Sequence, residues 1–152
     1  MARIKEEEMN NSLQAQVGGK HYKGMVIQPI ELSMANGYDA CIHSAIKYMS
    51  RHRDKGGADD LRKAAHFLEL RIDTCITLGM KLPVANGSIP ILRYVEANQI
   101  PSVDAAIIVN IHQWATTNSE DIAHSNLTPR AKVAFIKRQI DGLIEQVYGE
   151  TL

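Results

Sequence analysis

Ile46-Lys47-Tyr48-Met49-Ser50-Arg51, then Lys55-Gly56-Gly57, then Asp60-Leu61-Arg62-Lys63-Ala64: this run decides the fold. Before the glycines, Cys41, Ile42, Ala45, Ile46 and Met49 recur with the spacing of an amphipathic helix, predicted over 39–53. After them, Leu61, Ala64, Leu68, Ile72 and Cys75 make a second stripe, with Asp59 or Asp60 as its N-cap and Gly79 as its stop. Asp54-Lys55-Gly56-Gly57 is a short link, so the two helices are expected to pack antiparallel.

Outward from this pair the pattern stays helical. Residues 1–19 are polar and are expected to form a loose arm. The apolar stretch 25–30 contains Pro29, which argues against a full strand, and a short helix over 30–36 ends at Gly37. A proline-bounded loop fills 80–90, followed by a helix over 91–98. Pro101-Ser102 opens an apolar helix through Val103, Ala106, Ile107, Ile111 and Trp114. Thr128-Pro129, a capping residue before a proline, starts the last helix. Val133, Phe135, Ile136, Ile140, Leu143, Ile144 and Val147 line it. Strand signals are nearly absent. The expected fold is all-α, a compact bundle of about five to six helices built around the antiparallel pair. Its parts are an arm over 1–19, a core over 20–79 and a helical layer over 80–152. That layer packs on the core or forms an oligomer surface, and a homo-oligomer is expected.

The 152 residues suit one domain, and 17 Lys+Arg balance 17 Asp+Glu. A binder of long nucleic acid usually carries a basic excess, so any anion site here is local. Two cysteines, Cys41 and Cys75, sit in apolar helical patterns and read as buried thiols rather than a disulfide. No stretch approaches the roughly 18 apolar residues of a membrane span, and Met1-Ala2-Arg3-Ile4-Lys5-Glu6-Glu7-Glu8 lacks a signal peptide's apolar core. A cytoplasmic protein without a membrane partner is expected. Gly-x-x-x-x-Gly-Lys-Ser/Thr and Gly-x-Ser-x-Gly are both missing. His43, His52, His66, His112 and His124 show no metal-ligand spacing and read as surface or half-buried.

Lys47 and Arg51 stand one helical turn apart, so their heads can meet one anion. Arginine grips phosphate through parallel hydrogen bonds, and lysine adds a mobile point charge. Arg53 and Lys55 follow, Gly56-Gly57 permits close approach of backbone amides, and a helix beginning at Asp59 or Asp60 would aim its positive end at the turn. The alternative is a solvated basic helix end. Upstream, His21-Tyr22-Lys23 offers an acid/base group, a ring to stack on a base and a further cation. Glu31 and Asp60 are the nearby acids; either can hold magnesium, bind a sugar hydroxyl or pair with Lys47 or Arg51.

Together, His21-Tyr22, Gln28-Pro29-Ile30-Glu31, Ile46-Lys47-Tyr48 with Arg51, the Lys55-Gly56-Gly57 turn and Asp60-Leu61 with Lys63-Ala64 resemble a family of small tailed-phage proteins related to the phage T7 nucleotide kinase. Many of its members are uncharacterised. The resemblance covers about 21–72. It implies a kinase without a Walker motif, transferring phosphate from ATP to a deoxynucleoside monophosphate, with Mg2+ as cofactor. Lys47, Arg51 and Lys63 would be catalytic. His21, Tyr22, Lys23, Glu31, Ser44, Tyr48, Arg53, Lys55, Gly56, Gly57 and Asp60 would bind the nucleotide. Two departures stand out: His43-Ser44 replaces the family's usual Gly-Asn, and Phe67 stands where a tyrosine is frequent. The alternative function is a non-catalytic nucleotide binder, a regulator or a sponge for a host signalling nucleotide. A MazG-type pyrophosphohydrolase ranks last, because its paired Glu-x-x-Glu and Glu-x-x-Asp acids are missing. Arg51→Ala is expected to cut turnover and leave folding nearly intact.

Overall fold

The computed structural model describes residues 12–16, 19, 21–117 and 129–150. Most of the 1–19 arm, the cap expected at Thr128 and His124 lie outside the described residues. The chain is all-α, with α1 Pro29–Asn36, α2 Ala40–Arg51, α3 Gly57–Leu78, α4 Ile91–Ala97, α5 Ser102–Thr116 and α6 Pro129–Tyr148.

Local chemistry sets most of the boundaries. Pro29 takes the first helical position of α1, where its missing N–H costs nothing. The Gln28 backbone N–H donates to Glu31 Oε1 at 3.1 Å, which ties the helix entry shut. Gly37, at φ 64, ends α1 in the left-handed conformation. Asp39 caps α2: its Oδ1 accepts from the amides of Cys41 and Ile42, both at 3.0 Å. The start of α3 differs from expectation. Neither Asp59 nor Asp60 is its N-cap; the helix begins at Gly57, and both acids sit inside its first turn. There they still meet the positive end of the helix.

Helices α2 and α3 run side by side, α6 lies against α3, and α5 lies against both α2 and α6. Ile42, Ala45, Ile46 and Met49 of α2 and Leu61, Ala64, Leu68, Ile72 and Cys75 of α3 are buried, as their spacing predicts. Each fully buried Leu or Ile contributes about 1.5–3 kcal/mol relative to exposure. The core continues without a break into Tyr94, Ile107, Ile108, Ile111, Trp114, Ile136, Ile140 and Ile144, so 20–79 and 80–152 share one apolar interior. The buried apolar positions of α5 and α6 face this interior. Val103 and Phe135, expected in the stripes, are exposed, and so is Ala106. Cys41 and Cys75 are free thiols, the first half-buried and the second buried. Among the described residues no helix is long and apolar enough to cross a membrane.

A buried polar joint locks the α2–α3 turn to the C-terminal layer. His52, expected near the surface, is 2 % exposed. Its Nε2 lies 2.6 Å from Asp104 Oδ2 and its Nδ1 lies 2.7 Å from the Tyr148 hydroxyl. Arg53 adds two parallel bonds to Asp104, Nε to Oδ2 at 2.9 Å and Nη2 to Oδ1 at 2.8 Å. Burial pushes the Asp104 carboxyl up, but the bonds and charges of Arg53 and His52 outweigh it and hold the group below the usual carboxylate range.

Candidate functional site

Residues 47, 48 and 51 share one face of α2; residues 60, 63 and 67 share one face of α3. The antiparallel packing brings those faces together around the ring of Tyr48. Lys47 Nζ lies 4.8 Å from the ring centroid, Arg51 Cζ 4.7 Å and Lys63 Nζ 5.4 Å. Phe67 stacks on the same ring, with centroids 5.9 Å apart and planes inclined by 19°. Each cation gains from the ring's negative face, by about 0.5–1 kcal/mol where the pair is open to solvent. Three like charges around one ring also repel one another.

One carboxylate answers them. Asp60, with 0 % exposure, accepts from Arg51 Nε at 2.9 Å (Oδ2) and from Nη2 at 3.1 Å (Oδ1). Of the roles open to Asp60, ion pairing is the one it performs, and its partner is Arg51. The bidentate clamp fixes the guanidinium plane and leaves Arg51 Nη1 unengaged among the described residues. Lys47 and Lys63 have no carboxylate partner among the described residues.

His21 and Tyr22 border this group. Tyr22's hydroxyl is buried without a hydrogen-bond partner among the described residues. Burial pushes its pKa up; Arg51 lies close enough to oppose that rise, although no hydrogen bond of good geometry joins them. His21 bonds Gln16 Nε2 through Nδ1 at 2.9 Å. Partial burial and the positive charges of Lys55 and Arg51 push the His21 pKa down, against the weaker pull of Asp54 and Asp60.

The remaining candidates fall elsewhere. Arg53 does not join Lys47 and Arg51. Two residues beyond Arg51, it turns away and is committed to Asp104. Glu31 closes the N-terminus of α1 and makes no contact with the cations among the described residues. Ser44 stands one turn before Lys47 and Tyr48 and makes no side-chain hydrogen bond among the described residues. Lys23 and Lys55 are exposed, with Lys55 near enough to His21 to influence it. The amide of Gly57 is not free for a ligand. Gly57's N–H donates to the His52 carbonyl at 2.8 Å, and Gly57 sits at φ 58. Gly56 is needed for space: a Cβ there would stand 2.0 Å from Asp60 Oδ1. The positive end of α3 likewise meets its own Asp59 and Asp60 first.

Among the described residues, Asp60, Glu31 and Asp59 are not free to hold magnesium. Both Asp60 oxygens are held by Arg51, Glu31 is engaged at α1, and Asp59 pairs with Arg62 at 2.9 Å. Among the described residues no group of three or more His, Cys, Asp or Glu could hold a metal ion.

Residues 17–69 match the model of a family described as proteins of unknown function, DUF3310. The chain is similar to that family over about a third of its length, and every candidate residue from His21 to Lys63 lies inside the matched segment. No curated protein and no solved structure matches the chain.

The histidines give the site and the fold a shared pH dependence. Burial pushes the pKa values of His21, His43 and His112 down from 6.5, so the unfolded chain binds more protons than the folded one as pH falls past that value. Stability of the ligand-free protein should therefore decline as pH is lowered through about 6.5 and below. An anion beside His21 reverses the sign locally. It raises the His21 pKa, so anion affinity should strengthen over the same acid range. Denaturation midpoints and calorimetric affinities at pH 5.5, 6.5 and 7.5 check both trends; affinity that rises with pH would contradict the second.

Proposed function

We propose that the Lys47–Arg51–Lys63 cluster binds a nucleotide through its phosphate. The supporting observation is the charge balance: three cations gather within 5.4 Å of one ring centroid, and the carboxylate that answers them among the described residues, Asp60, is committed to Arg51. A phosphate group would relieve that repulsion and accept from Arg51 Nη1. The buried Tyr22 hydroxyl is an orphan donor in the same neighbourhood, and the His21 and Tyr22 rings border the cations. They are suited to meet the sugar or base.

In its catalytic form, which rests on the phage-family resemblance, the protein is a nucleoside-monophosphate kinase. Lys47, Arg51 and Lys63 would neutralise the phosphoryl group passing from ATP to a deoxynucleoside monophosphate. Such transfer depends mainly on positioning and electrostatics. The second form, binding without turnover, is favoured by the locked state of Asp60, whose two oxygens are both held by Arg51 and so are not free to act as a base.

A thermal-shift series of nucleoside mono-, di- and triphosphates tests the shared claim. A ligand at 100 times its Kd stabilises by about 2.7 kcal/mol, which raises Tm by roughly 5–10 °C in a domain of this size. No shift with any nucleotide contradicts the proposal. A coupled ATP/dTMP assay separates the two forms: product formation supports the kinase, and tight binding without product supports the regulator or sponge.

A further inference from the structure

Eleven residues beyond Asp60, further along α3, lies a second polar group, which the nucleotide site does not use. Arg71 and Trp114 are each 2 % exposed, and the Arg71 guanidinium lies over the indole, its Cζ 4.4 Å from the ring centroid. Two arms of the guanidinium are engaged. Nε donates to Asp39 Oδ2 at 2.8 Å, and Nη2 donates to the Pro83 carbonyl at 2.6 Å. Arg71 Nη1 and Trp114 Nε1 are both buried and both without a hydrogen-bond partner among the described residues. Leaving a buried donor unsatisfied costs about 1–3 kcal/mol, more when it is charged. Two such donors occur in one stack.

We propose that Arg71 Nη1 and Trp114 Nε1 share one buried water molecule. The occupant must accept and not donate to these groups, since both are N–H donors. It must also be small, because the stack is sealed. A monatomic anion meets those two conditions, but Asp39 already balances the Arg71 charge, so a second negative charge would itself be buried unpaired. A neutral oxygen avoids that cost. Its own protons can go to spare lone pairs on the Pro83 carbonyl or the Asp39 carboxylate, giving it the two to four partners an internal water takes.

The water would sit at the joint of three segments. Pro83 belongs to the loop after α3, whose Ala85 N–H donates to the Ala115 carbonyl at 2.8 Å, next to Trp114. The same loop continues to Asn86, whose N–H donates to the Asn36 carbonyl at 2.9 Å. One oxygen would therefore pin α3 and α5 together beneath the strap that also fastens α1.

Trp114 is the single tryptophan, so its indole N–H gives one isolated resonance in a 15N-labelled sample. A rotating-frame cross-peak to water with the sign of a direct dipolar contact is expected, from an indole proton that exchanges slowly. A missing cross-peak, or one with the sign of chemical exchange, overturns the proposal. So does an indole resonance that moves when acetate is replaced by bromide, which would put an anion there. In Trp114→Phe, which keeps a ring for the guanidinium, the Arg71 Nη1 protons should keep their contact to water; its loss there would also count against a shared oxygen.

Discussion

Arg51→Ala should lower the unfolding free energy by about 3–5 kcal/mol, or roughly 6–20 °C in Tm, as well as abolish the proposed phosphate binding. Asp60 has 0 % exposure and places both oxygens on Arg51. Removing the guanidinium leaves a buried carboxylate without a counter-charge, and that desolvated charge is the source of the loss. From sequence alone, Arg51 looks like an exposed cation whose removal leaves folding nearly intact, and the Asp60 clamp overturns that expectation. The double variant R51A/D60A should be more stable than R51A, because the stranded charge is gone. Urea denaturation of the two single variants, the double variant and the parent closes the cycle. An R51A protein within 1 kcal/mol of the parent would mean that the pair is not closed in solution.

Gly56→Ala should have an effect of similar size, by a different route. The backbone at Gly56, φ −92 and ψ −8, suits alanine, so conformational strain is not the cause. The added methyl would stand 2.0 Å from Asp60 Oδ1, 2.1 Å from Cγ and 2.5 Å from Oδ2. Asp60 cannot swing aside without releasing Arg51, so one methyl group breaks the clamp. A loss of about 3 kcal/mol is expected. In a D60A background, where the clash is absent, the same change should cost little. A G56A protein with unchanged stability and unchanged anion affinity would contradict this geometry.

Much of the helical frame is legible in the sequence because its signals are local. The stripe from Cys41 to Met49, the Asp39 cap and the left-handed Gly37 and Gly79 all involve neighbours within one turn. The Lys47–Tyr48–Arg51 face and its Asp60–Lys63–Phe67 counterpart follow from the same 3.6-residue period. The rest depends on contacts that no local pattern encodes. Arg53 reads as part of the basic run, yet it lies two residues past Arg51 and its partner, Asp104, is 51 positions away. His52 is buried by two groups, Asp104 and Tyr148, that belong to different helices. Glu31 serves its own helix end, a local role that the family resemblance obscures. Gly56 and Gly57 read as a flexible phosphate loop. Only the three-dimensional position of the Asp60 carboxylate shows that one of them is there to make room.

Lys47 and Lys63, which lack acidic partners among the described residues, are in the proposed function held beside Arg51 for an anion. Neither supports a buried pair, so K47Q/K63Q should fold with a Tm close to the parent's. The decisive measurement is a calorimetric titration of inorganic pyrophosphate into the parent and into K47Q/K63Q at low salt. Saturable binding by the parent, weakened at least tenfold in the double variant, is the predicted result. Equal affinities, or no binding by the parent, would contradict a phosphate site between α2 and α3.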